Sequence, residues 1–328
     1  MLFRIIIFLF CFFYANAQTL QQKLDEKQEK ISNYVIEVFD DIDKKIAYWV
    51  HSEDGNITTQ SQTKNSVDEF FKGEKYIKET NKSYLQFRLK SLLQSKGDSS
   101  ITPYIKAQIP LQRSQKNFQI FFSEIKKDAL SQSVSQIEDE KSAQVGVSYF
   151  TPMQYDIKSK YSVGLRSLST YASARYSKEF EFNKWLIEPT QEFKYSTKYN
   201  FSEETNIYFD RALDESSLFR TTLHRKTQEN TRGYDYALSL SYYLTPSYKK
   251  GFGVSQIFWG NSKYSCDMYP EEYSGISNYA TQFSWRQNIL RKWIAYEVQP
   301  IVSFHREHNY EANYMLRFYL DFYFGNID

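Results

Sequence analysis

The chain has 328 residues, with 41 Lys plus Arg against 39 Asp plus Glu, and a mean hydropathy of −0.61. That near-neutral balance argues against nucleic acid or an acidic substrate as a partner. The low hydropathy excludes a bundle of membrane-spanning helices, each of which needs about 20 consecutive apolar residues. It leaves open a barrel whose strands turn half their residues toward a polar interior, and the 28 Tyr and 26 Phe suit the aromatic girdles of such a barrel.

Residues 1–17 read as a secretory signal peptide: Arg4, an apolar run from Ile5 to Tyr14, then Ala15-Asn16-Ala17 before Gln18. Cys11 follows Phe10, where a lipoprotein signal needs a small residue. With this leader removed Cys266 is the only cysteine, so no intrachain disulfide can form. Leu24, Ile31, Val35, Val38, Phe39, Ile42, Ile46 and Trp49 then recur at steps of three and four, which predicts an amphipathic helix over Leu20–Trp49. Val35, Ile42 and Trp49 are spaced by sevens, but too few heptads follow for a coiled coil, so the expectation is packing against the barrel mouth or plugging it. The segment 51–82 is polar, with a short helical candidate from Ser66 to Lys78 that carries Val67, Phe70, Phe71 and Tyr76. Together 18–82 read as a helical periplasmic or plug-like extension.

After Asn81 the period becomes two. Leu85, Phe87 and Leu89 alternate with Gln86, Arg88 and Lys90; Ile105, Ala107, Ile109 and Leu111 alternate with Lys106 and Gln108. Similar runs fall at about 117–125, 143–150, 156–167, 170–182, 185–197, 204–212, 217–227, 234–244, 251–260, 274–287 and 293–304. The last, Tyr310–Phe324, sends Ala312, Tyr314, Leu316, Phe318, Leu320, Phe322 and Phe324 one way and Glu311, Asn313, Arg317 and Asp321 the other. Strands in soluble sheets are usually about 5–6 residues long, so this alternation fits a tilted strand crossing a bilayer. The count is fourteen, with twelve as the alternative. Pro189 and Pro300 fall inside candidate strands, where a missing N–H breaks the ladder unless there is a bulge, and they keep a soluble β-sandwich in contention.

Over about 83–324 the chain resembles bacterial outer-membrane β-barrels as a class, through its signal peptide, alternating strands and aromatic closing strand. The resemblance implies an all-β fold, a transmembrane antiparallel β-barrel spanning 83–328, in the outer membrane of a Gram-negative-type bacterium. It also implies membrane lipid, lipopolysaccharide and the outer-membrane assembly machinery as partners. Fatty-acid transporters and outer-membrane phospholipases share general features, but no motif specific to either occurs. Counting strands back from the C-terminus, the long connections Lys126–Ser142 and Asn261–Tyr273 fall outside the cell and the short ones Thr151–Tyr155, Asn183–Lys184 and Leu213–Ser216 fall in the periplasm. Leu168–Ser169 makes an unusually short outer turn.

The faces opposite lipid carry charge at regular intervals. Candidate lumen-lining residues are Arg88, Lys106, Arg166, Arg175, Arg220 and Arg317 of one sign, Glu188, Glu192, Glu297 and Asp321 of the other, and His224. Facing charges of opposite sign in a water-filled pore set a field that orients solutes, and the same residues could instead close the lumen as salt bridges. His224, beside Arg220 and Lys226, is expected in a cationic neighbourhood. His305-Arg306-Glu307-His308 lies in a turn and lacks the zincin spacing, and His51-Ser52-Glu53-Asp54-Gly55-Asn56 lies too far from a lipid-facing rim to cleave an acyl ester. Cys266, between Tyr264 and Tyr269, could pair with another chain. No cofactor or metal motif is found. The leading expectation is a porin- or channel-like barrel that passes or binds small solutes; the alternatives are an outer-membrane lipid hydrolase and a surface adhesin or structural anchor.

Overall fold

The computed structural model describes residues 2–50, 67, 70, 83–111, 117–124, 143–166, 169–229, 232–247, 249–266, 269–289 and 291–325; the description excludes the side chains of 2–21, 49–50, 123–124, 143, 264–273 and 307. Helix α1 (Leu2–Val50) precedes β1 (Tyr84–Gln94), β2 (Ser100–Leu111), β3 (Phe118–Glu124), β4 (Ala143–Phe150) and β5 (Ile157–Arg166). Next come β6 (Ser169–Lys178), β7 (Phe180–Phe182), β8 (Trp185–Ser196), β9 (Asn200–Ala212) and β10 (Ser217–Gln228). The chain ends with β11 (Asp235–Ser247), β12 (Lys250–Cys266), β13 (Tyr269–Asn288), β14 (Ile294–His305) and β15 (Ala312–Gly325).

Consecutive strands pair antiparallel, apart from β6 and β7, and β1 pairs with β15 from Tyr84↔Gly325 to Gln94↔Met315, which closes the sheet. β6 and β7 both pair with β8 in one register, so together they make a single wall strand and the barrel has fourteen. Closure leaves no unpaired edge, the condition for strands to cross a bilayer. An even strand number puts both barrel ends on one rim, called here the near rim. The connections 151–156, 183–184 and 213–216 share that rim, while the strand ends Glu124, Ala143, Cys266 and Tyr269 lie toward the far rim, the partition expected from counting strands.

The outward side chains form an apolar belt. Ile101, Ile105, Phe122, Val145, Val163, Leu165, Phe193, Leu223, Phe252, Phe283, Trp285, Leu316 and Phe318 are all exposed, and rings stack along the belt as in Phe252–Trp285 and Tyr296–Phe318. Inward positions read polar: Gln119, Ser148, Ser162, Thr222, Ser239, Ser241 and Ser255 are buried on the other face. This inversion of the soluble pattern, apolar out and polar in, excludes the β-sandwich. Inward Gly146 and Gly164 face each other across β4 and β5, and a Cβ on either would collide with strand backbone and with the ring of Phe121 or Tyr171. Those two rings lie over the bare wall that the glycines leave.

Pro189 and Pro300 each break one ladder, as expected in the absence of a bulge: each is paired without a register shift on one side, Pro189↔Ile207 and Pro300↔Leu316, and each lies at a gap on the other. The β8 pairing passes from Ser177↔Thr190 to Phe180↔Ile187, and that of β14 from Gln282↔Ile301 to Trp285↔Val298. A missing N–H thus interrupts one ladder and spares the other. The expected loop Asn261–Tyr273 is corrected: it is strand as far as Cys266 and again from Tyr269, the two arms pairing past the wall as a hairpin with register shifts near Gly260, Asn261 and Tyr264. Its tyrosines suit a strand better than a loop, and bulges absorb the twist. Finally, α1 starts at Leu2 rather than Leu20, because no Gly or Pro interrupts the chain before Gly55. Of the Ser66–Lys78 candidate, Val67 and Phe70 are described and both are helical; Lys126–Ser142 and His51–Asn56 lie outside the described residues.

Candidate functional site

The inner wall is fixed by register. Since directly paired residues share a face, the chain Arg88↔Asp321↔Ala295 on one side and Arg88↔Tyr104 on the other carries the inward assignment around the whole barrel. Arg88, Lys106, Arg166, Arg175, Glu188, Glu192, Arg220, His224, Glu297, Arg317 and Asp321 all fall on that face. The structure does not treat them alike: it gathers some into hydrogen-bonded networks.

Asp321 organises the first network and is 0% exposed. Its carboxylate accepts from Arg88 Nε and from Arg88 Nη2 at 2.5 Å, a two-pronged pair across the β1–β15 seam. It also accepts from Arg286 Nη1 at 2.9 Å, Gln86 Nε2 at 3.1 Å and the Tyr323 hydroxyl at 3.3 Å. Arg286, 1% exposed, reaches Glu297 at 3.3 Å and the Tyr323 hydroxyl at 3.1 Å, and Gln299 donates to Glu297 at 2.5 Å. The Arg88 guanidinium stands 4.9 Å from the Tyr319 ring. Burial of this many charges is tolerable because nearly every lone pair has a donor. Gln86, Arg286 and Tyr323 were not singled out from sequence, although each alternates in phase with a residue that was.

A second network lines β9 and β10. Arg220 holds Asp210 through Nε and Nη2, both at 2.7 Å. His224 Nδ1 lies 2.7 Å from Asn206 Oδ1 and 4.0 Å from Glu204, and Asn206 donates to Glu204 at 3.0 Å. The expected cationic surroundings of His224 are therefore corrected: β9 sets an amide and a carboxylate directly across from it, which spacing along β10 alone does not reveal. Arg175 faces Glu192 across β6 and β8, and the Arg166 guanidinium stands 5.8 Å from the Tyr199 ring. Lys106 is placed opposite Gln86, and Glu188 is buried.

A third region is apolar although it faces inward. Ala237, Ile257, Trp259, Ala280 and Ile301 form a buried cluster with Met315 packed against it. With the Asn278 amide oriented so that its oxygen accepts from Trp259 Nε1 at 2.8 Å, its nitrogen donates to His305 Nε2, also at 2.8 Å. Sequence reading placed no function on these residues, because an apolar side chain on the polar face of a single strand looks like noise until its neighbours are known.

At the near rim, α1 approaches β15, β1 and β2. Gln28 Nε2 reaches Tyr323 O at 3.5 Å, Ser32 Oγ accepts from Gly325 N at 3.1 Å, and Asp25 pairs with Arg291 of the β13–β14 turn at 2.5 Å. The hydrogen bond from Arg291 holds the Asp25 carboxyl below the usual carboxylate range. Ile109 and Leu111, outward at this end of β2, are buried, whereas Ile101 and Ile105 on the same face are exposed.

A closed, even-stranded barrel with an apolar outer belt and a charged inner wall is an outer-membrane β-barrel of the bacterial type. Solved barrels are similar to it: OccK11 (OpdR) of Pseudomonas aeruginosa at 7% identity and TM-score 0.42, covering 74% of this chain and 95% of that one. A loop-deletion mutant of OmpT, an outer-membrane protein of Vibrio cholerae, matches at 8% and 0.43, covering 74% and 98%. The KdgM porin, solved with disordered oligogalacturonate, matches at 8% and 0.35, covering 72% and 98%. No family model and no curated protein matches the chain.

Proposed function

We propose that this barrel is a porin-like conduit for small solutes, with selectivity carried by its charged inner wall, and that it favours anions. The observation that carries the reading is the composition of that wall. Besides the residues named above, Lys90, Lys158, Lys160 and Lys194 also face inward by register, so the described strands present more cationic than anionic side chains to the lumen. The near rim, with its short turns, is then periplasmic and the far rim extracellular. Residues 1–17 are the leader and 18–82 the extension that meets the periplasmic rim through α1.

The lipid-hydrolase reading draws less support. It requires Ser, His and a carboxylate on the lipid-facing rim, and His224 is turned inward with Asn206 as its partner. Planar-bilayer recording of the refolded protein is the test. Ohmic steps with a reversal potential displaced toward chloride in a KCl gradient are expected. Absence of conductance in the full chain and in a chain lacking residues 18–80 would overturn the reading.

A further inference from the structure

We infer that α1 is an interfacial helix, seated on the anionic lipid surface that surrounds the barrel at its near rim. This needs the outer-membrane barrel but not the conduit reading, because it concerns the helix and not the lumen.

Contacts assign one face of α1. Asp25, Gln28 and Ser32 reach the β13–β14 turn and the end of β15, and Ser32, Val35 and Asp43 are buried. At about 3.6 residues per turn these positions share the side turned to the barrel. About a quarter turn away run Leu24, Ile31 and Val38. Leu24 and Ile31 are each 44% exposed and Val38 is half-buried, so the barrel leaves this apolar strip largely uncovered. Ile36, also exposed, falls outside the strip.

The strip lies where lipid can cover it. α1 approaches β1, β2 and β15, and the outward Ile109 and Leu111 at the near end of β2 are buried while Ile101 and Ile105 along the same face are exposed. The rim is thus covered on its lipid side there, below the outward Phe87 of the apolar belt, so that the strip continues the belt onto the helix. Covering apolar surface with hydrocarbon is favourable in proportion to its area.

Charge sorting on α1 identifies the occupant. Lys23, Lys27, Lys30 and Lys45 are exposed on the flank beside the strip, together with Tyr34 and Tyr48, and Asp41 is the acid among them. Glu26, Glu29, Glu37 and Asp40 lie on the side opposite the strip, where Lys44 pairs with Asp40 at 2.7 Å. Lysine stems can lie along the acyl boundary while their ammonium groups meet lipid phosphates, and tyrosine rings suit the same depth. Acids placed opposite are held away from an anionic surface and toward water. A second copy fits this sorting poorly: two helices packed antiparallel on the strip would set one lysine flank against the other.

The test places a nitroxide label at Ile31→Cys or at Glu26→Cys, in a chain with Cys11→Ser and Cys266→Ser, refolded into phosphatidylcholine vesicles with or without phosphatidylglycerol. The full chain is compared with one lacking residues 1–17, so that the apolar leader cannot account for the result, and heat-modified gel mobility verifies each barrel. With phosphatidylglycerol, the Ile31 label should collide readily with oxygen, which concentrates in lipid, and rarely with a water-soluble nickel chelate; the Glu26 label should do the reverse. Omitting phosphatidylglycerol, or introducing Lys23→Gln/Lys27→Gln/Lys45→Gln, should raise chelate access at Ile31 severalfold. Equal chelate access at the two positions would overturn the interfacial seat. Shielding of Ile31 from both reagents would overturn it in favour of a protein partner such as a second copy. An Ile31 profile that neither the lipid charge nor the lysine substitutions change would overturn the recognition of an anionic surface.

Discussion

Asp321→Ala is the substitution that asks most of the inner wall. Its carboxylate is the only acid that Arg88 contacts in the described network, whereas Arg286 keeps Glu297 at 3.3 Å. Removing one partner of a buried pair typically costs about 3–5 kcal/mol, because the other charge is left uncompensated in a dry setting. Arg88 meets that description and Arg286 only partly does, so a loss of about 3–5 kcal/mol is expected rather than twice that. The companion Arg88→Met/Asp321→Leu removes both charges and should recover most of the loss, as replacement of a buried pair by apolar groups usually does. Urea titration of the protein refolded into lipid vesicles, read by gel mobility, measures both. A loss under about 1 kcal/mol for Asp321→Ala would show that lumen water solvates the two guanidiniums, and the seam would then be a wet surface pair of the kind that contributes little.

Outward and inward neighbours on β15 should respond differently to the same charge: Leu316→Arg should cost about 2–4 kcal/mol near the bilayer midplane and Met315→Arg far less, with equal losses refuting the assigned faces. Cysteine placed at Asp98, in the far-rim β1–β2 connection, should react with an impermeant maleimide on intact cells, whereas cysteine at Glu215 in the β9–β10 turn should react only after the outer membrane is breached; the reverse would invert the barrel. The Asp25–Arg291 contact should depend on pH. Because the folded-state pKa of Asp25 is lowered, its contribution is present above the ordinary carboxylate range and fades as pH falls through the depressed value. Proteolysis of α1 should therefore accelerate below about pH 4 in the parent, and Asp25→Asn should be cleaved faster at neutral pH without that further rise; identical cleavage of the two at pH 7 would show that the ion pair does not hold the helix.

The fold was legible because alternation is a local signal. Each of the fourteen wall strands carries its own period of two, and β15 shows it over Ala312–Gly325 without interruption. What escaped was long-range. Whether Pro189 breaks a strand depends on which neighbour would have accepted its N–H, and that neighbour, β6, lies across a turn. The tyrosine-rich stretch after Asn261 looked like loop because its partner, beyond Cys266, continues past the barrel wall where no lipid face imposes a pattern.

The inner wall shows the same division more sharply. Arg88, Arg220 and Arg317 are equivalent in sequence, each a cation on the polar face of an alternating strand. Register alone separates them: Arg88 is set beside Asp321 and Arg220 beside Asp210, while Arg317 is set beside Gln299 and Leu92. A charge placed against an acid is satisfied and holds the wall together, whereas one placed against an amide and a hydrocarbon has no acid directly across either ladder. Which inward charges lock the wall is thus decided by pairing, through the same closure of β1 on β15 that makes the barrel. A one-residue slip of β15 would exchange its inner and outer faces, moving Arg317 and Asp321 into lipid together, so the unpaired arginine and the network that surrounds it are fixed by one choice of register.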